Sequence, residues 1–217
     1  LEDLRAYART HPDFLSLKPK AIVMDLAQMH HTWISECFPD TIRIADRFHV
    51  HGYVIESIQV VRKSVQHRLA PQAKAILKRD QPATHNPPGD SLSEKSKIRL
   101  NALFAFSTLL RKVWEWKEAF SHWYEYSPNV QVAIASFHLW LQQGENMDHE
   151  SAQSTLKTMR NWQNDIIKYH LCRWTNATVE GRHNRIKAYQ RRHYFICNRE
   201  CYKAGVLVEC NWHRLSG

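Results

Sequence analysis

The stretch from Ala21 to Ala45 constrains the fold more than any other part of the chain. Ala21-Ile22-Val23-Met24 is wholly apolar with two β-branched residues, as a strand covered on both faces requires. Residues 28–37 then place Met29, Trp33 and Cys37 at helical spacing. Phe38-Pro39-Asp40 turns the chain, and Thr41–Ala45 alternates Ile42 and Ile44 with Thr41 and Arg43. Strand, helix and strand in about 25 residues predict a right-handed βαβ unit with parallel strands. Asp25 and Asp46 each directly follow one of these strands. Sites of open parallel sheets lie outside the carboxyl ends of the strands, so neighbouring strands put both carboxylates on one rim. The plainer alternative is that Asp25 only caps the next helix and Asp46 only ends a strand.

Around that unit the pattern is helical. Residues 3–16 read as one helix with Leu4, Tyr7, Ala8 and Phe14 towards one side. Val54, Ile55, Ile58, Val61 and Val65 form a stripe of 3.6 period, and Pro71–Leu77 reads as its continuation. Residues 80–93 are the clearest loop. Helical stretches follow near 94–122, 129–143 and 149–170, carrying Trp114, Trp116, Trp123, Trp140 and Trp162. Tryptophans at such spacings signal core packing.

Thr175, Asn176 and Thr178 suit the start of a helix over Val179–Arg192. Glu180, Asn184, Lys187 and Arg191 share one side of it, and Val179, Ile186 and Tyr189 lie off that side and face protein. Glu180 falls at the positive end of the helix dipole. Arg182, Arg185, Lys187, Arg191 and Arg192 follow with no acidic residue among them. That is either a solvated basic face or a surface that tracks phosphates. Residues 203–210 are apolar enough to return to the core. Carboxylates gathered from distant segments and flanked by Lys and Arg suit Mg²⁺- or Mn²⁺-dependent chemistry on a phosphate backbone.

Composition narrows the classes. The net charge of +9, with His neutral, favours a polyanionic partner: RNA, DNA or an acidic membrane surface. No run approaches the roughly 18 apolar residues of a membrane span. Five cysteines make no disulfide framework, and Cys197, Cys201, Cys210 and His213 lack a Cys-x-x-Cys pair, so reduced thiols and a cytoplasmic setting are expected. The start at Leu1, without Met, leads to the expectation of a longer reading frame.

Two motifs carry a family resemblance. Asp46-Arg47-Phe48-His49-Val50 after a strand, and Thr175-Asn176-x-x-Val179-Glu180-Gly181-x-x-Asn184-x-Ile186-Lys187 much later, resemble bacterial insertion-sequence transposases of the DDE type, in the ISL-three group. Phe38-Pro39, Val113-Trp114-x-Trp116-Lys117-Glu118-Ala119-Phe120 and Arg191-Arg192-x-Tyr194 add to it, so the resemblance runs over nearly all of the chain. It departs after Tyr194, where Phe195-Ile196-Cys197-Asn198 replaces the family's Gly-Phe-x-Asn.

The resemblance implies an α/β, RNase H-like domain interrupted by a large all-helical insertion, predominantly helical overall. Residues 1–53 would form the RNase H-like part, 54–170 the insertion, and 171–217 the closing part. It implies two divalent cations held by two Asp and one Glu, acting on transposon ends and target DNA, with a homodimer as the natural way to hold two ends. Glu180 matches the family's terminal glutamate and Asn184 stands beside it. Asp25 matches the second aspartate, while Asp46 and His49 match an Asp-x-Phe-His motif on the next strand, near the site. The first aspartate would then lie upstream of Leu1. The site set is Asp25, Asp46 and Glu180 for catalysis, Asp25 and Glu180 for metal, His49 and Asn184 in support, and Arg182, Arg185, Lys187, Arg191 and Arg192 for DNA. Set against an active catalytic region is an inactive fragment that acts only as a basic nucleic-acid-binding module.

Overall fold

The computed structural model describes residues 1–72, 74, 75, 92–193 and 198–215, the last four of these by backbone alone. It is mostly helical, with a two-stranded parallel sheet, and divides into two compact units, Leu1–Trp174 and Thr175–Gly217.

The first unit opens with α1 (Glu2–Thr10) and α2 (Pro12–Leu15), where one helix over 3–16 is predicted. Pro12 makes the difference. It lacks an N–H and forces His11 out of helical geometry, so a new helix starts at the proline. β1 (Ala21–Met24), α3 (Gln28–Cys37) and β2 (Ile42–Ala45) follow as predicted, with Ala21 paired to Ile42 and Met24 to Ala45. Successive residues of β1 face opposite ways. Ala21 and Val23 pack on the main core, whereas Ile22 and Met24 join Ile34, Phe38, Trp33 and Phe14 on the other face. Within α3 the buried residue is Ile34, and Met29, predicted to lie on the packed stripe, is exposed.

α4 (Arg47–His67) begins directly after β2, so His49 lies in a first helical turn and not on a strand. Asp46 takes the N-cap position with extended backbone, which ends the strand and starts the helix at one residue. Of the continuation predicted over Pro71–Leu77, residues 71, 72, 74 and 75 are described and helical. Most of the loop predicted over 80–93 lies outside the described residues.

The remaining elements of this unit are α5 (Glu94–Phe104), α6 (Thr108–Tyr126), α7 (Val130–Glu145), α8 (Glu150–Ile167) and α9 (Tyr169–Cys172). Each long helix has a legible start. The Ser93, Ser107 and Asn129 side chains accept N–H bonds from Ser96, Leu110 and Val132. The Ser107 cap divides the stretch predicted as one helix over 94–122. At the end of α9, Arg173 adopts the left-handed conformation at φ 53° and donates to Glu125 O and Ser127 O, 3.0 and 2.7 Å away.

α4 packs on α6 and α8, α7 bridges the same two helices, and β2 lies against α8. One core therefore runs from the sheet through the helices. Ile44 and Ala45 share it with Val54 and Ile58 of α4, Trp116 and Phe120 of α6, Phe137 and Trp140 of α7, and Leu156 and Met159 of α8. The five tryptophans act as packing residues: Trp116, Trp123 and Trp140 are buried, and Trp114 and Trp162 are partly buried against the same core. No helix among the described residues is long and apolar enough to cross a membrane.

The second unit is a helical pair, α10 (Ala177–Arg192) and α11 (Arg199–Leu215). Gly205 leaves room for the end of the Tyr189 ring, which a Cβ at that position would strike. Gln190 donates to the Tyr202 hydroxyl at 2.6 Å, and Arg192 pairs with Glu209 at 2.7 Å. The apolar run expected to return to the core does not do so throughout: Leu207 and Val208 are exposed on α11. Residues 194–197, which include Phe195, Ile196 and Cys197 of the departure noted above, lie outside the described residues.

Candidate active site

The parallel register sets the first two carboxylates. Met24 pairs with Ala45, so the next step along both strands brings Asp25 opposite Asp46. The Asp46 N–H donates to Met24 O at 2.7 Å and extends the ladder to that step. The two carboxylates thus stand at one end of the sheet, as the βαβ reading predicts, in unequal surroundings. The Asp46 residue is buried beneath the start of α4, whereas the Asp25 side chain is 40% exposed.

His49 follows Asp46 by one helical turn and is exposed. Its ring nitrogen and an Asp46 carboxylate oxygen lie within 4.8 Å of each other. An oxygen and an imidazole nitrogen form a donor pair that suits Mn²⁺ well and Mg²⁺ through the oxygen. Among the described residues of Leu1–Trp174, no three His, Cys, Asp or Glu ligand atoms come that close together.

Asp25 has a partner that sequence reading missed. His30 Nδ1 lies 2.8 Å from Asp25 Oδ1. The neighbouring His31 points elsewhere, with Nε2 3.2 Å from Asp165 Oδ2 on α8, where Lys168 also reaches Asp165 at 3.1 Å. The first turn of α3 is thus tied to the sheet end on one side and to the helical body on the other. The His30-His31 doublet, five residues after Asp25, was the available signal.

Behind Asp46 lies a group of buried and half-buried aromatic and basic side chains. Arg47, the first residue of α4, pairs with Glu125 and stands 5.5 Å above the Tyr124 ring. The His51 ring is 4.8 Å from that of Tyr124, and the His170 ring is 4.5 Å from that of Trp123. Burial holds His51 down to about 4, with the Arg47 and Lys117 charges adding to it. Burial likewise holds His170 to about 4, with a smaller effect from Arg173. Burial pushes the Tyr124 hydroxyl well above the ordinary tyrosine range. All three are neutral near pH 7. No sequence motif marks them, because only the packing of α4, α6 and α9 brings them together.

In the second unit, Glu180 lies in the first turn of α10 and is half-buried. Its N–H donates to Asn176 O at 2.9 Å, as in a regular helix start. At this end Thr175 Oγ1 takes the Ala177 N–H at 3.4 Å. Arg182, Asn184, Arg185, Lys187, Arg191 and Arg192 are all exposed, and Arg192 is drawn to Glu209. Ile186 and Tyr189 are half-buried as predicted, but Val179 is exposed.

A family model described as a transposase, of the DDE type and ISL3 group, matches residues 1–206. No match was found among curated proteins, and none among solved structures.

Proposed function

The chain belongs to the DDE transposases of the ISL3 group, and on that premise we propose that it is the catalytic region of a DNA transposase that cleaves and joins strands at insertion-sequence ends. The single observation that carries this reading is the register that stands Asp25 opposite Asp46 at the end of a parallel pair. In this proposal the sheet belongs to an RNase H-like frame, and the long helices are the insertion that precedes its last acidic helix. Asp25 and Glu180 would each hold a divalent cation, Mg²⁺ or Mn²⁺, with a further aspartate supplied from outside this sequence. When bound, such ions polarise phosphoryl oxygens and lower the pKa of water at the scissile phosphate.

The chain's own residues do the rest. Asp46 and His49 flank Asp25 and orient the rim. Asn184 stands one turn beyond Glu180, and Arg182, Arg185, Lys187, Arg191 and Arg192 take the phosphates of the transposon end. Two ends must be held at once, so the working form is a homodimer. In an assay of end cleavage by the transposase encoded in the element's own reading frame, Asp25→Ala and Glu180→Ala should each cost about 10³-fold, several kcal/mol of charge stabilisation, with end binding retained. Cleavage kept in either variant overturns the assignment. The chain by itself is expected to nick no DNA, and metal-dependent nicking that Asp25→Ala abolishes would refute the need for an outside aspartate.

The exposed basic face of α10 favours a second reading, a catalytically inactive module that only binds nucleic acid. Binding of this kind weakens with salt in proportion to the phosphates neutralised. Replacing Arg185, Arg191 and Arg192 together by Ala should flatten the log–log salt slope by roughly 2–3 units, uniformly across DNA sequences. An unchanged slope would remove α10 from the DNA surface in both readings.

A further inference from the structure

The Asp25–His30 contact goes beyond the residues that the family pattern supplies. Asp25 sits half-exposed in the short connection between β1 and α3, and among the described residues no strand pairs with the far edge of β1. A carboxylate in such a place samples several rotamers unless something holds it. His30 is placed to hold it. An ionised carboxylate only accepts hydrogen bonds, so at 2.8 Å the proton lies on His30 Nδ1 and is donated to Oδ1. The other oxygen, Oδ2, remains available to a ligand.

His30 is itself fixed. It lies in the first turns of α3, and its neighbour His31 anchors that turn by reaching Asp165, whose residue is buried, while the His31 ring meets Trp162 edge-on at 5.5 Å. A chain of contacts therefore runs from the packed interior of α8, through the histidine doublet, to one oxygen of Asp25. Groups that ligate metals are commonly oriented by such outer hydrogen bonds, and their loss typically costs 10–100-fold in metal affinity.

We propose that His30 is a positioning residue that fixes the Asp25 carboxylate for a divalent cation, by holding Oδ1 and leaving Oδ2 free. The proposal rests on the reading of Asp25 as a cation-holding carboxylate.

The test is a Mn²⁺ titration of the full chain, read by loss of the electron paramagnetic resonance signal of free Mn²⁺. Four proteins are compared: the unaltered chain, Asp25→Ala, His30→Ala and His30→Asn. Asparagine places a side-chain N–H close to the position of Nδ1 but has no ring. Asp25→Ala should remove the part of the uptake that depends on Asp25, His30→Ala should weaken that part 10–100-fold with little change in melting temperature, and His30→Asn should restore it to within a few-fold. Uptake by His30→Ala equal to that of the unaltered chain, with Asp25→Ala defective, overturns the positioning role and leaves Asp25 in place. Weakened uptake in both His30 variants overturns it too, since the donated N–H would then not be what matters. If the unaltered chain and Asp25→Ala behave alike, the assignment of Asp25 itself falls and takes this inference with it.

Discussion

Replacing Trp116 by alanine lowers the melting temperature of the chain by roughly 6–20 °C. The range combines about 3–5 kcal/mol for truncating a buried tryptophan with about 2–4 °C per kcal/mol for a chain of this size. Trp116 merits the upper part of the range because its ring is bound on every side. It stacks on Trp140 with centroids 4.3 Å apart and planes 3° from parallel. The indole N–H groups cross over: Trp116 donates to Trp140 O at 3.0 Å and Trp140 to Trp116 O at 2.9 Å. Gly144, one turn beyond Trp140, leaves the ring its space, since a Cβ there would lie 2.9 Å from Trp116 Cζ2 and 2.8 Å from Leu156 Cδ2. Truncation therefore opens a cavity where α6, α7 and α8 meet, and no neighbour is free to fill it. Trp116→Phe keeps most of the volume and loses the donor, leaving Trp140 O without that bond, so a cost of about 1–3 kcal/mol is expected for it. Calorimetry or a thermal melt of the two variants beside the unaltered chain decides the matter, and an alanine variant that melts within 2 °C of it would show that the paired indoles carry no such weight. The same result bears on the motif that runs from Val113 to Phe120. Within it, Val113, Trp116 and Phe120 line the core, and the buried Lys117 pairs with Glu118 and lies 5.4 Å from the Trp114 ring. That motif specifies packing.

How much was legible in the sequence follows from how local each feature is. The βαβ unit could be read because its signals sit in consecutive residues: an apolar run, a helical stripe, a Phe-Pro turn, an alternating strand. The breaks at Pro12 and Ser107 were equally local, yet they lie inside longer apolar patterns that masked them. The start of α4 at Arg47 was harder, because Phe48, His49 and Val50 suit a strand as well as a helix, and the preference is settled by Val50, Val54 and Ile58 burying one helical face in the core. Asp25 and Asp46 could be placed at the sheet end because a strand's end is a position in sequence. His30 was missed because its role depends on which way a side chain turns. The apolar residues of α11 misled for the opposite reason: Leu207 and Val208 carry a core composition into a two-helix unit with too little surface to bury them.

His51 and His170 make the first unit acid-labile. His51 and His170 are each held to about 4, against an ordinary value near 6.5 in the unfolded chain. Between those values the unfolded chain binds more protons than the folded one, so stability rises with pH through this window. The contribution is whole above about pH 6.5, is lost progressively as pH falls to 4, and changes no further below. A depression of this size amounts to about 3 kcal/mol for His51, and less for His170, where solvent screens part of the effect; together roughly 5 kcal/mol. Urea unfolding at pH 7 and pH 4.5 should show most of that difference. The decisive comparison is with His51→Phe/His170→Phe, which retains aromatic packing against Tyr124 and Trp123 and has nothing to protonate there. That variant should lose several kcal/mol less than the unaltered chain over the same interval, and an equal loss in both would clear the histidines of the effect. The position of the pair gives the result its meaning for the site. His51 lies one turn from Arg47, and Arg47 immediately follows Asp46. Among the described residues no group hydrogen-bonds His51 Nε2, so a proton placed there would have only the Arg47 and Lys117 charges to face. Keeping His51 neutral lets Arg47 stay paired with Glu125 over the Tyr124 ring, and that pairing fixes the helix start that carries Asp46 and His49 to the rim of the sheet.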